Sequence, residues 1–422
     1  MLKASALYMV IIIALVIGII CSSLVVTAYF YRLQYQKTDR FSTLQNNLSS
    51  AINILMASED TTYLKKTTFS LFNTDADSVA VQKLFWGVYD IGVARAFIQK
   101  DTLYKTFSLA NSLDSTKWAA LYLADDQRPL GLSGKTTIKG NAFIPPAGVN
   151  QAYVNNEAYS GDKRLIIGTK HDSQKYLPAL DADRLERFKT LLKEKRTVDI
   201  SLLKGGSVNN PFLSPTQIVS FGNHVTTLKN ISLSGNIILF SDTALVIDST
   251  AVLNHIIVFA KSITVHSGFH GNCQLFVTDT MGIGRNCRFS YPSCLGLLRF
   301  DAPGIVNTMA QISLQNKCAF SGLIFTYEKE KSIIPPIIHI GSKVKVKGQI
   351  YSQGFLEFDD YAEVDGSVTT AKFLYQSSFT RYENYINNTV IDDTALSPYY
   401  LSSDLIPVTT AKKKIVQWLE AN

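Results

Sequence analysis

The sequence contains few of the residues on which several common protein classes depend. Five cysteines in 422 residues are too few for a disulfide scaffold. With 12 prolines and 24 glycines, the chain is neither collagen-like nor proline-rich. Charged residues make up 18% against 46% hydrophobic residues, which excludes a disordered chain. Lysine and arginine exceed aspartate and glutamate by 41 to 34, but no basic arm concentrates the excess, so nucleic-acid binding is not predicted.

Motifs of common catalytic and metal sites are also missing. The chain has no P-loop, no Gly-x-Ser-x-Gly, no His-Glu-x-x-His and no Cys-x-x-Cys pattern. The spacing of three histidines does not place their nitrogens around one metal ion: His255, His266 and His270. The densest acidic group could bind Ca²⁺ or act as an acid–base pair, but its members fall at outward positions of a repeat: Asp359, Asp360, Glu363 and Asp365. We therefore predict no catalytic, cofactor-binding or metal-binding residue, no cofactor and no enzymatic activity.

The N-terminus carries one long hydrophobic run. Residues 4–31 are 28 consecutive residues without a charge, and Arg32 closes the run. As a helix, this run would reach about 42 Å, against a hydrocarbon core of about 30 Å. It predicts a single transmembrane helix. A cleaved signal peptide is the alternative, because Val26-Thr27-Ala28 is an acceptable cleavage site.

The helix is expected to continue beyond the membrane. Apolar residues recur at helical spacings as an amphipathic stripe that ends near residue 58: Leu33, Phe41, Leu44, Leu48, Ile52 and Leu55. The first predicted domain is therefore residues 1–60, the membrane helix with its helical extension.

The start of the chain resembles the N-termini of some type IV pilin-like and pseudopilin-like minor proteins. The segment Lys3-Ala4-Ser5-Ala6-Leu7 leads directly into the apolar helix, although the glutamate that major pilins carry early in this helix is absent. Positive charges flank the apolar run on both sides, Lys3 before it and Arg32, Lys37 and Arg40 after it, so they do not determine which end of the helix faces the cytoplasm. The resemblance implies a body outside the cytoplasm, anchored in the cell membrane.

Residues 61–130 read as a small antiparallel β region of short runs rich in aromatic and branched residues.

Residues 131–372 contain a repeat of three core positions, in which the second lies four residues and the third six residues after the first. Its first positions from residue 247 onward are Ile247, Val265, Ile283, Leu314, Ile340 and Phe358, in steps of 18, 18, 31, 26 and 18 residues. Core positions that recur in register at a period of 18 residues predict a parallel β-helix, or β-solenoid. An antiparallel β-sandwich is the alternative.

Residues 337–370 resemble bactofilins, which are polymer-forming proteins with a right-handed β-helix of similar coil length. The resemblance rests on Ile340-Gly-Ser-Lys-Val-Lys-Val-Lys-Gly and Phe358-Asp-Asp-Tyr-Ala-Glu-Val-Asp-Gly. It implies fold more than function, and right-handed winding. A left-handed coil of 18 residues stays open as an alternative.

Three further local features complete the prediction. Residues 181–195 form a helical insertion with Asp181 as N-cap. Residues 373–422 lose the repeat and form a capping tail, with a short basic helix over residues 412–419. Cys287 and Cys318 occupy the same repeat position, which predicts buried, stacked thiols rather than a disulfide.

Two functions stay open at this stage. The first is a single-pass membrane-anchored structural or assembly protein, an accessory part of a pilin-like secretion or surface apparatus. Its expected partners are the lipid bilayer, through residues 4–31, and unidentified proteins, with self-association open. The second is a carbohydrate-binding or carbohydrate-cleaving β-helix, which would need two carboxylates facing each other on adjacent coils.

Overall fold

The computed structural model describes residues 2–58, 61–72, 77–114, 118–194, 196–301, 309–376, 380–406 and 412–421. The described chain is mainly β, with one long N-terminal helix, α1 (Leu2–Ala57), and a shorter helix, α2 (Ala182–Lys193). It divides into two compact units. The first comprises Met1–Lys83, Gly92–Thr106 and Leu419–Asn422, and the second comprises Leu84–Ile91 and Phe107–Trp418. The predicted domain bounds stay a prediction.

The strands are numbered in chain order, first those between α1 and α2 and then those after α2. Up to α2 they are β1 (Thr67–Phe69), β2 (Asp77–Trp86), β3 (Tyr89–Ile98), β4 (Asp101–Ser112), β5 (Leu121–Leu123), β6 (Leu130–Ser133), β7 (Thr137–Lys139), β8 (Ala142–Ile144), β9 (Val149–Gln151), β10 (Tyr153–Val154), β11 (Glu157–Ala158), β12 (Ile166–Ile167) and β13 (Lys170–Asp172). After α2 they are β14 (Ser207–Asn210), β15 (Gln217–Ser220), β16 (Thr226–Leu228), β17 (Ser232–Gly235), β18 (Ile237–Ile247), β19 (Val252–Val265), β20 (His270–Ile283), β21 (Arg288–Arg299), β22 (Gln311–Leu314), β23 (Ala319–Glu328), β24 (Ile337–Ile340), β25 (Lys345–Phe358), β26 (Glu363–Gln376), β27 (Arg381–Glu383), β28 (Tyr385–Asn387), β29 (Val390–Asp392), β30 (Leu401–Ser402) and β31 (Lys413–Ala421).

The first unit is built around the C-terminal half of α1. The predicted continuation of the helix to residue 57 is confirmed. The later part of the predicted stripe is buried, at Leu44, Leu48, Ile52 and Leu55, whereas Phe41 is 49% exposed. Burial of the stripe therefore starts only at residue 44. In the same unit β1 pairs antiparallel with β2.

The second unit contains an extended parallel sheet in which the predicted column is in register. Ile247 pairs with Val265, Val265 with Ile283, Ile283 with Leu314, Leu314 with Ile340, and Ile340 with Phe358. All six side chains are at most 4% exposed. The predicted register of this column is confirmed, and the column forms part of the apolar core.

A second inward column brings distant parts of the chain together. Phe289, Phe320, Val346 and Val364 pair in succession, and Val364 pairs with Ile391 of β29. Ile391 pairs in turn with Ile138, which pairs with Ile166. Residues 390–392 of the tail therefore lie between the last repeat and the early strand β7.

Glycines at the bends of neighbouring strands have no space for a side chain. Gly322, Gly348 and Gly366 pair with one another in register and have φ between +136° and +149°. A Cβ on Gly348 would lie 2.1 Å from the carbonyl oxygen of Gly322. The backbone conformation and the close approach both require glycine at this position.

The helical insertion is confirmed as α2. The side chain of Asp181 accepts a hydrogen bond from the backbone N–H of Arg184, which is the contact expected of an N-cap. Leu185 and Phe188 are buried on one face of the helix.

The predicted C-terminal helix is wrong, because residues 413–421 form the strand β31, which pairs with β4. The β-branched residues Ile415 and Val416 favour an extended backbone. Trp418 packs edge-on against Phe107 of β4, with ring centroids 5.5 Å apart. Tertiary pairing therefore overrides the weak helical pattern of this segment.

Candidate functional site

The exposed half of α1 is the first candidate interaction surface. An 18-residue window of this helix has a mean hydropathy of 3.1 and none of it is buried. Large apolar side chains there are widely exposed, including Ile11 (56%), Ile19 (61%) and Val25 (69%). By length and composition the helix could cross a membrane, which would remove this apolar surface from water.

Three hydroxyl side chains in this half of α1 form hydrogen bonds within the helix. The hydroxyls of Ser22 and Thr27 each donate to a carbonyl one turn earlier, at 2.8 Å, and that of Ser23 donates to Ile20 at 3.1 Å. A hydroxyl bonded in this way does not present an unpaired polar group to lipid. These residues are therefore compatible with a lipid environment.

Small residues lie on one face of the same segment. Ala14, Gly18 and Ser22 are spaced four residues apart, so they stand above one another on the helix. A Cβ on Gly18 would meet no atom within 4 Å. Small residues at this spacing allow two membrane helices to approach closely.

The second candidate surface is an outward row of aromatic side chains on the parallel sheet, called here the aromatic row. Its ten positions pair in register across neighbouring strands: Phe240, Phe259, Phe276, Gly296, Phe325, Tyr351, Thr369, Tyr122, Phe143 and His171. Phe240, Phe259 and Phe276 stack with centroids 5.0 Å apart. A side chain on Gly296 would collide with the rings of Phe276 and Phe325.

Residues 174–194 and Arg196 cover much of this row. Phe188 of α2 packs against Phe276 at 4.9 Å between centroids, and the Arg196 guanidinium lies 3.4 Å from the centroid of Phe240. The hydroxyl of Tyr351 donates to the carbonyl of Pro178. The far end of the row, at Phe143 and His171, stacks at 4.9 Å. His171 is exposed, so this end is open to solvent.

A groove of about 540 Å³, called here the α2 groove, runs between α2 and the strand ends beside the row. One wall carries Lys189, Lys193 and Arg196, and the other carries charges of alternating sign: Asp242, Lys261, Asp279 and Arg299. Asp279 pairs with Lys261 at 3.7 Å and with Arg299 at 3.5 Å. Because charges of both signs line it, the groove does not select strongly for an anion or a cation.

A buried ion network holds the start of α2. Arg184 lies 3.0 Å from Asp90 and 2.6 Å from Asp404, and Asp404 also pairs with Lys413. Arg184 further donates to the carbonyls of Gly87 and Tyr89. The network joins four segments that are distant in sequence. Its role is structural, because every charged group in it already has a charged partner.

The acidic group considered in the sequence analysis is divided among different partners. Asp360 accepts from Asn387 at 2.9 Å, whereas Glu363 and Asp365 both pair with Lys345, at 2.8 and 3.2 Å. Asp359 lies 3.2 Å from Nε2 of His339. In the described ranges, no group of three His, Cys, Asp or Glu side chains could hold a metal ion.

The three histidines considered from the sequence do not meet. His255 contacts the side chain of Gln417, and burial lowers its pKa. His266 pairs with Asp248 at 3.1 Å, and His270 is exposed. Sequence reasoning overlooked His339. The repeat itself could have indicated it, because Ser313, His339 and Glu357 all stand one residue before a column position.

Cys287 and Cys318 are buried free thiols at neighbouring positions, as predicted. Their sulfurs donate to the carbonyls of His266, at 3.2 Å, and Gly284, at 2.9 Å. Their packing is that of small apolar core residues.

Comparison with known proteins gives little further information. No protein-family model matches the chain, and no curated protein matches it. Among solved structures, the chain is similar to the crystal structure of the competence-associated pilin ComZ from Thermus thermophilus. The identity is 11%, the alignment covers 85% of this chain and 87% of that one, and the TM-score is 0.22. At that score the likeness carries no argument about fold or function.

Proposed function

We propose that the protein is a single-pass membrane-anchored assembly protein, an accessory part of a pilin-like secretion or surface apparatus. The observation that carries the proposal is the uninterrupted 56-residue helix α1, exposed and apolar in its first half and buried along one face in its second. About 20 apolar residues span a bilayer, so α1 is long enough to span it and to continue into its buried segment, which begins at Leu44. The pilin-like segment at residues 3–7 supports a body outside the cytoplasm.

Assembly through α1 requires a face that another helix can approach. The small residues Ala14, Gly18 and Ser22 provide that face, and the bulkier Val16 and Ile20 lie on the opposite side. The partner proposed is therefore a membrane helix of another protein of the same apparatus.

Photo-crosslinking in native membranes tests this proposal. A photoreactive residue at position 14 is expected to give discrete protein adducts, and the same residue at position 20 only lipid adducts. Gly18→Ile should abolish the protein adducts by preventing close approach, whereas the control Ile20→Leu should leave them intact. Lipid adducts alone from both positions, with the protein still in the membrane, would overturn the proposed assembly role.

For the body, we propose that the parallel sheet is wound as a β-solenoid of the right-handed, bactofilin-like kind. Support comes from pairing at 18-residue intervals, such as Ile247 with Val265 and Val346 with Val364. Both inward columns keep register past the insertions in the repeat. Neighbouring coils of a solenoid bury their inward side chains against one another. The interface between neighbouring repeats therefore stabilises the stack.

Carbohydrate binding is the second candidate function, and the open end of the aromatic row favours it. Tyr122, Phe143 and His171 stack on neighbouring strands with a solvent-exposed edge. Binding to a panel of bacterial polysaccharides tests it. Phe143→Ala should remove any binding, while Tyr153→Ala, at an exposed tyrosine elsewhere, should not. Equal binding by wild type and Phe143→Ala would exclude this surface.

A further inference from the structure

Three side chains on the outward face of the parallel sheet form a hydrogen-bonded chain of nucleophile, base and carboxylate. Oγ of Ser313 lies 3.2 Å from Nδ1 of His339, and Nε2 of His339 lies 3.2 Å from Oδ1 of Asp359. We propose that Ser313, His339 and Asp359 form an acyl-transfer site that acts on small esters. Such a constellation is recognised by geometry and roles rather than by position in the sequence, and here the ring faces the serine with Nδ1 and the carboxylate with Nε2, the reverse of the usual triad. The proposal does not depend on the assembly role of α1.

The strand register holds the three residues together. Ser313 of β22 pairs directly with His339 of β24. Asp359 follows the end of β25, the next strand, and its backbone N–H donates to the carbonyl of Ile340 at 2.9 Å. Each of the three residues stands next to a buried residue of the inward column. These neighbours are Leu314, Ile340 and Phe358, and none is more than 4% exposed. A rigid element positions a site more accurately than a free loop.

The hydrogen bonds define the protonation state that the chemistry needs. When Asp359 accepts the Nε2 proton, Nδ1 of the neutral ring becomes an acceptor for the Ser313 hydroxyl. Burial favours a lower pKa for His339, but the hydrogen bond and charge of Asp359 and the nearby charge of Glu357 raise it above its ordinary value. Glu357 is itself half-buried with a raised pKa, and Arg381 lies close enough to oppose that rise. His339 is therefore a stronger base than an isolated histidine.

Access to Ser313 is open from the side of β20. Gly282 pairs with Ser313 on that side, and a Cβ on Gly282 would meet no atom within 4 Å. Ser313 and His339 are both only half-buried. An open face without an enclosing pocket suits a small or flexible ester, with modest turnover.

The proposed reaction balances without a cofactor. Ser313 Oγ attacks the ester carbonyl carbon while its proton passes to His339 Nδ1. The carbon–oxygen bond to the alcohol then breaks, and His339 returns the proton to the departing alkoxide. Water then attacks the carbonyl carbon of the acyl-serine and gives a proton to His339. The bond between that carbon and Ser313 Oγ breaks, the carboxylic acid leaves, and His339 returns the proton to Ser313 Oγ.

The test uses the full chain in detergent micelles with a fluorophosphonate probe and p-nitrophenyl acetate. Peptide mass spectrometry should find the phosphonate on Ser313, and Ser313→Ala should remove both labelling and hydrolysis. His339→Gln should lower both rates about 10²- to 10⁴-fold. Ser262→Ala, at another outward serine, is the matched control and should leave both rates unchanged.

The pH profile separates a chemical role from a structural one. Hydrolysis should rise with pH through a midpoint above that of a free histidine, because neutral His339 is the base. Asp359→Asn should move this midpoint to lower pH, since it removes the charge that raises the pKa of His339. Absence of label at Ser313, or rates unaffected by His339→Gln in a protein that melts like wild type, would overturn the proposal.

Discussion

At the scale of single residues, Val265 tests the register of the parallel sheet. It is 1% exposed and pairs with Ile247 on one side and Ile283 on the other. Val265→Asp would bury an unpaired charge and should cost about 3 kcal/mol or more of unfolding free energy. Thr264→Asp, at the exposed neighbouring position, is the control and should change stability by less than about 0.5 kcal/mol.

Thermal and denaturant unfolding of the detergent-solubilised chain provide the measurement. A large loss for Val265→Asp alone agrees with an inward column. Similar melting of the two variants would contradict the inward orientation of Val265.

A second residue-scale prediction concerns Arg184 at the start of α2. Its side chain is 6% exposed and pairs with Asp90 and Asp404. Arg184→Met keeps most of the packing but leaves two buried carboxylates without this cation, so it should cost about 3–5 kcal/mol. Lys193→Met, at an exposed position of the same helix, should cost little. Equal denaturation midpoints for both variants would contradict a tightly coupled network.

At the scale of elements, α1 has two halves with different surroundings. Leu48 is 4% exposed, whereas Phe41, seven residues earlier on the same stripe, is 49% exposed. Leu48→Asp should therefore destabilise the first unit by about 3 kcal/mol, and Phe41→Asp should be tolerated. The rate of limited proteolysis at sites after residue 58 measures this difference in stability between the two variants. Equal resistance of both variants would show that the stripe is not buried where the structure has it.

Elements whose cause is local could be predicted from the sequence. The apolar run and the amphipathic stripe predicted the extent of α1, and the N-cap residue Asp181 predicted the start of α2. The strand β31 was not predicted, because its partner β4 lies about 300 residues earlier in the chain and pairing with it outweighs the weak helical pattern of the segment. No local motif marks His339, whose partners Ser313 and Asp359 lie 26 and 20 residues away, so only the repeat register could have brought Ser313 and His339 together.

At the scale of the whole molecule, the sequence repeat predicted the columns but not the order in which distant segments join them. Ile391 lies between Val364 and Ile138, so the tail and an early strand extend the sheet built by the repeat. Parallel pairing of segments about 250 residues apart depends on which strand edge the rest of the sheet leaves unpaired. Periodicity contains no information about that choice.

The central claim for the whole molecule is that α1 anchors it in a membrane. The most direct measurement is alkaline carbonate extraction of membranes from cells that express the full chain, followed by protease treatment of intact spheroplasts. The account predicts that the intact protein stays in the membrane pellet and that protease added from outside digests its body. Release of the protein into the carbonate supernatant would contradict the anchor, and full protection of a pelleted protein would place the body on the cytoplasmic side.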